Sequence, residues 1–99
     1  MELSIAGKYK TLIIRLDGDL DHHSTGRLRE RIDRELRRTG AVNAAFDFSR
    51  VSFMDSSGIG FIMGRYKIVQ ALGGRIIIYG ISDNVRRIIE MSGIDKLVV

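Results

Sequence analysis

Residues 41–79 read AVNAAFDFSRVSFMDSSGIGFIMGRYKIVQALGGRIIIY, and the order of segments in this stretch decides the fold class. Ala41 to Phe48 has the content of a mostly buried strand, and Ser49 to Asp55 is its polar exit loop. Ser56 or Ser57 then opens a helix whose apolar positions Ile59, Ile62, Met63, Tyr66, Val69 and Leu72 keep helical spacing until Gly73-Gly74 stops it. Arg75 to Tyr79 is rich in β-branched residues and predicts a second strand. Strand, helix and strand in this order argue for parallel pairing with the helix packed on the sheet. Gly60 and Gly64 lie one turn apart inside the helix and each weakens it by about 1 kcal/mol relative to alanine, so a close backbone approach on that face is expected.

Working outward, Glu2 to Ala6 and Thr11 to Leu16 are strand-like segments separated by Gly7-Lys8-Tyr9-Lys10, which predicts an opening hairpin. Asp17 to His23 is a polar break. From Ser24, the residues Leu28, Ile32 and Leu36 form a narrow apolar stripe at spacing four and end at Gly40, the pattern of a solvated amphipathic helix. Beyond the central unit, Ser82 can cap a third helix carrying Val85, Ile88, Ile89 and Met91. Gly93 stands in the C′ position there, with Ile94 ready for the apolar contact that follows a Schellman turn. Lys96 to Val99 reads as a final short strand or docked tail. The whole predicts one α/β domain over residues 1–99, a mostly parallel sheet of about four strands with an N-terminal hairpin and helices packed on it.

Composition narrows the function classes. A chain of 99 residues with 44% hydrophobic and 28% charged residues builds one core. Folding at this size buries only about two-thirds of the chain's surface, which leaves little room for a deep catalytic pocket. The absence of cysteine excludes disulfides, thiolate zinc sites and a cysteine nucleophile, and points to a reducing compartment, the cytoplasm. No apolar run approaches membrane-spanning length, and the N-terminus has no signal-peptide core. The net charge of +4 is local: Arg27 to Arg38 holds six arginines against Glu30, Asp33 and Glu35. That helix reads first as a solvated face with internal pairs such as Glu30 to Arg34 and Asp33 to Arg37. Nucleic-acid binding is the sharper alternative, weakened by the lack of a second basic helix and of basic-aromatic interleaving.

Ligands and partners of open α/β sheets gather at the carboxyl ends of the strands. Two polar loops converge there, Asp17, Asp19, Asp21, His22, His23 and Ser24 after one strand and Asp55, Ser56, Ser57 and Gly58 after the next. A calcium loop on Asp17, Asp19 and Asp21 fails, because His22 and Leu28 stand where the turn glycine and the bidentate acid belong. His22 and His23 are adjacent and diverge too far to share one metal ion. A hydrolase triad of Ser56, His22 and Asp21 lacks a nucleophile elbow and a cleft. No metal, cofactor or catalytic residue is therefore expected. The serine pair suits a modification site, since a helix N-terminus tolerates a phosphate. Asp55 as N-cap would crowd that dianion, so phosphate would act by repulsion toward a partner. On spacing alone, a plain N-cap followed by ordinary helix-start serines ranks above phosphorylation.

The stretch Phe53-Met54-Asp55-Ser56-Ser57-Gly58-Ile59-Gly60, followed by Gly64-Arg65-Tyr66-Lys67, resembles the anti-sigma factor antagonists of the STAS domain class, and most closely their sporulation sigma-F branch. Gly18-Asp19-Leu20-Asp21-His22-His23 and Met91-Ser92-Gly93 match further segments of that family in order and spacing. The resemblance implies a partner switch and not an enzyme. An unphosphorylated antagonist binds an anti-sigma factor that is also a serine kinase and so releases the sigma factor. The kinase phosphorylates the first serine of Asp-Ser-Ser-Gly, which is Ser56, with Ser57 as the fallback, and a PP2C-type serine phosphatase reverses it. The same resemblance puts Asp21 on the docking face, with Asp19 and Ser24 beside it, along with Asp55, Ser56 and Ser57. Gly58 and Gly60 would let the kinase backbone approach the helix start. The free chain is expected to be a monomer that contacts neither nucleic acid nor membrane. An antagonist from a stress-response or other sigma pathway is the alternative of the same mechanism.

Overall fold

The parallel unit forms as its sequence order requires. In a computed structural model that describes residues 1–6 and 10–97, β1 (Glu2–Ala6) runs antiparallel to β2 (Thr11–Asp17), and β2 runs parallel to β3 (Asn43–Arg50), which runs parallel to β4 (Ile76–Tyr79). The spatial order follows the chain order, β1-β2-β3-β4. The hairpin is present as pairing from Glu2↔Arg15 to Ala6↔Thr11. Its turn residues Gly7, Lys8 and Tyr9 lie outside the described residues. The crossovers are α1 (Thr25–Thr39) between β2 and β3, and α2 (Ser56–Ala71) between β3 and β4. After β4 comes α3 (Asp83–Ser92).

Period-two alternation sorts the sheet into a covered and an open face. Leu12, Ile14, Leu16, Ala44, Phe46, Phe48, Ile76 and Ile78 are buried, and they share one core cluster with Ile32 and Leu36 of α1, Phe61, Ile62 and Val69 of α2, and Val85 and Ile89 of α3. On the opposite side Arg15, Ile77 and Tyr79 stay exposed. Phe46 sits at the centre of the covered face, with the Phe61 ring edge-on at 5.9 Å. A fully buried phenylalanine contributes about 1.5–3 kcal/mol, so this contact is a main tie between sheet and α2. The turn into β4 brings Gly74 against β3: a Cβ there would overlap the Val42 carbonyl, so only glycine lets the two strands start side by side.

Four expectations from sequence are corrected. The buried stripe of α2 is Gly58, Phe61, Ile62, Arg65 and Val69, while Leu72 is half exposed and Ile59, Met63 and Tyr66 are only partly covered. Among the described residues no other element approaches Gly60 or Gly64 closely: a Cβ built on either meets none of its atoms within 4 Å. Met91 belongs to the solvated side of α3, at 82% exposure. Where a final short strand or docked tail is expected from Lys96, Lys96 instead ends a 3-10 turn, Ile94–Lys96, because Gly93 with φ +82° reverses the chain and Ile94 tucks into the core. Val98 and Val99, the end of the expected strand or docked tail, lie outside the described residues.

Candidate functional site

The two polar loops meet through their backbones. Beyond the regular strands, Gly18 N–H donates to the Arg50 carbonyl at 3.1 Å, Leu20 N–H to the Phe53 carbonyl at 3.0 Å and Asp55 N–H to the Leu20 carbonyl at 3.2 Å. The bridge Leu20↔Met54 thus extends the β2–β3 ladder into the loops, and both side chains are buried. This pairing fixes where α2 begins. Gly58 lies directly over it, since a Cβ at Gly58 would run into the Met54 side chain and come within 3.3 Å of Leu20 Cβ. Gly58 is therefore buried packing beneath the helix start and does not belong to the open surface, whereas Gly60 is exposed.

Asp55 is the N-cap of α2, and its carboxylate accepts the Ser57 N–H at 2.8 Å. With that donor taken, the first turn offers an added anion less than a bare helix start would. Ser56 is exposed and Ser57 half-buried. Across the bridge, the Asp21 carboxylate accepts the N–H groups of His23 at 2.9 Å and Ser24 at 3.0 Å. Ser24 Oγ accepts the Asp21 N–H at 3.1 Å and donates to the Asp19 carbonyl at 2.7 Å. Asp21 is thus held in one pose, and the Ser24 backbone N–H, helped by His23, pulls its carboxyl below the ordinary range. The Asp19 carboxylate accepts the Ser52 hydroxyl at 3.3 Å, a second tie between the loops. Asp19, Asp21, Ser24, Asp55, Ser56 and Ser57 therefore share one sheet edge.

Two concavities flank the first turn of α2. On one side an open groove of about 360 Å³ runs between α2 and α3, lined by Met54, Asp55, Ser56, Ile59, Ile88 and Met91. On the other, a cleft of about 380 Å³ lies between α1 and α2, lined by Thr25 and Arg29 of α1 and by Ser57, Gly60, Gly64 and Arg65 of α2. Arg65 is the residue that sequence reasoning missed. Its side chain is 5% exposed, lies 5.5 Å from the Phe61 ring centroid, and stands 2.8 Å from the Asp33 carboxylate of α1. The Arg65 Nε–H is angled away from that oxygen, so the contact is an ion pair and not a directed hydrogen bond. Burial, together with nearby Arg29, lowers the guanidinium's pKa from its ordinary value against the pull of Asp33. Asp33 thus pairs across the helices and not with Arg37, and within α1 the described ion pair is Glu35 with Arg38 at 2.7 Å.

Residues 2–99 match the model of the STAS domain. The chain belongs to that family. Among its relatives is the anti-sigma F factor antagonist of Paenibacillus polymyxa, 37% identical over 86 residues that cover 87% of this chain and 74% of that protein. The anti-sigma factor antagonist SpoIIAA, solved in its unphosphorylated form, is 32% identical with a TM-score of 0.83 over 99% of this chain and 86% of its own. The phosphorylated form of the Bacillus SpoIIAA superposes with a TM-score of 0.77 at 33% identity, over 99% of this chain and 87% of its own. Within the family the chain groups with the anti-sigma factor antagonists, and its fold matches both the unphosphorylated and the phosphorylated form of SpoIIAA. Among the described residues no helix is long and apolar enough to cross a membrane.

Proposed function

We propose that this chain is an anti-sigma factor antagonist of the sporulation type, acting in the cytoplasm by partner switching. Unmodified, it docks the edge formed by Asp21, Asp55, Ser56 and the α2–α3 groove onto an anti-sigma factor, which releases sigma factor F. That partner is also a serine kinase, which phosphorylates Ser56 and ends docking, and a PP2C-type serine phosphatase restores the unmodified form. The family membership carries the class of function. The observation that carries the site is the surroundings of Ser56: an exposed hydroxyl beside the Asp55 carboxylate, on the rim of a groove whose lining holds no lysine or arginine.

A phosphate there adds about −1.5 to −2 charge with no cation among the described residues that line the groove, next to a carboxylate and an apolar wall. Desolvating such a group in an interface costs several kcal/mol, enough to shift affinity by about two orders of magnitude. No refolding is required, because α2 is already capped and its start is pinned by Leu20, Met54 and Gly58. The test is calorimetry with the cognate anti-sigma factor, comparing the unmodified chain with Ser56→Asp. The proposal expects tight binding by the first and strongly weakened binding by the second; equal affinities would refute switching by charge.

A further inference from the structure

Sequence and partner switching leave the cleft on the other side of α2 without a role, and its contents are specific. Four polar side chains, Thr25 and Arg29 from α1 and Ser57 and Arg65 from α2, face one space of about 380 Å³. Its mouth is kept open by Gly60 and Gly64, at either of which a Cβ would meet no atom within 4 Å. Glycine at these positions weakens α2 by about 1 kcal/mol each, and among the described residues no close approach by another element accounts for either. One of the two cations is held in place: Arg65 is 4% exposed as a residue, its guanidinium lies 5.5 Å from the Phe61 ring centroid, and its Nη1 donates to the Phe61 carbonyl at 3.3 Å. Its Nε finds no aligned acceptor, and among the described residues no acceptor meets its Nη2. Among the described residues that line the cleft two carry guanidiniums and none a carboxylate, and Asp33 stands 2.8 Å from Arg65.

We propose that this cleft is a binding site for a phosphate-type oxyanion, held between the Arg29 and Arg65 guanidiniums with the Thr25 and Ser57 hydroxyls as further donors. Guanidinium forks give short, charge-assisted hydrogen bonds to phosphate oxygens. A tetrahedral anion with several acceptor oxygens can take donors from both helices, where a carboxylate satisfies a single fork. The backbone of α2 plays little part, since the Ser57 N–H is spent on Asp55. The anion has two sources, a free phosphomonoester in solution or a phosphate carried by Ser57 itself. The site stands on the cleft's own geometry and does not depend on how the partner is switched.

The test is a two-arm nuclear magnetic resonance experiment on the folded chain. In the first arm, inorganic phosphate replaces chloride at constant ionic strength while the Ser57, Gly60 and Gly64 amides and the Arg65 Nε–H are followed. In the second, phosphoserine is installed at position 57 and the same signals are compared with the unmodified chain. Saturable shifts confined to these groups in the first arm, weakened about tenfold or more in the exposed-site variant Arg29→Gln, establish a site for the free anion. Movement of the Arg65 Nε–H in the second arm, with inorganic phosphate no longer titrating the cleft, identifies the tethered phosphate as occupant. No localised shift in either arm, or equal shifts in Arg29→Gln, overturns the proposal.

Discussion

The first turn of α2 presents its two serines to opposite surroundings. Ser56 is exposed on the rim of the α2–α3 groove, among Met54, Ile59, Ile88 and Met91 and beside the Asp55 carboxylate. Ser57, one residue on, is half-buried with its N–H tied to Asp55, and it faces a cleft that holds Arg29 and Arg65. A phosphate would be chemically the same group at either position. On the groove side it would stand uncompensated and act outward, and on the cleft side it would be neutralised inside the domain. The lesson is that a switch of this kind is set less by the modified hydroxyl than by the absence of a cation next to it.

The largest effect expected from breaking this contrast lies on the cleft side. Arg65→Ala leaves Asp33 partly buried without its partner and should cost about 3 kcal/mol in urea unfolding. The double variant Asp33→Leu with Arg65→Met, which removes both charges, should recover most of that loss; if it does not, the pair is not the reason Arg65 is buried. Next in size is the difference between serines. Ser56→Asp should weaken anti-sigma factor binding by about tenfold or more, while Ser57→Asp, with two guanidiniums beside it, should change it by about threefold or less. Comparable losses from both would erase the contrast. Asp55→Ala should cost about 1 kcal/mol through the lost cap, whereas Asp55→Asn should keep the cap and leave Ser56 with a less acidic neighbour.

The smallest effect concerns acid. Hydrogen bonds from Ser24 and His23 hold the Asp21 carboxyl below the ordinary range, those from Ser49 do the same for Asp47, and the Arg38 hydrogen bond does it for Glu35. Each is lower in the folded than in the unfolded chain, so each stabilises the fold above the ordinary carboxylate pKa of about 4, and that contribution is lost as pH falls through the lowered value. Denaturant midpoints should be level from about pH 7 to 5 and fall below about pH 4. Asp21→Asn should make the fall shallower; an unchanged slope would remove Asp21 from this account.

Most of the fold was legible because the strands and helices change hydrophobic period where they should, and Gly40, Gly73-Gly74 and Gly93 mark the ends. The convergence of the two polar loops was legible too, since parallel strands place their exits on one edge. The buried face of α2 was not. An arginine at position 65 reads as solvated, and its partner Asp33 is on another helix, so no spacing rule connects them. Gly58 and Gly60 look alike in Asp-Ser-Ser-Gly-Ile-Gly, yet one is pressed on Met54 and the other is open, a difference made by the Leu20↔Met54 bridge between distant residues. The 3-10 turn at Ile94–Lys96 was not legible, because Lys96 and Leu97 read as the start of a strand or docked tail, while Gly93 turns the chain before they begin.

One measurement bears most directly on the claim that Ser56 is the switch. The chain is incubated with its cognate kinase and ATP, and the modified residue is mapped by mass spectrometry in the unaltered chain, in Ser56→Ala and in Ser57→Ala. Phosphate on Ser56, absent from Ser56→Ala and retained in Ser57→Ala, is the predicted result. Phosphate found only on Ser57, or persisting in Ser56→Ala, would contradict it.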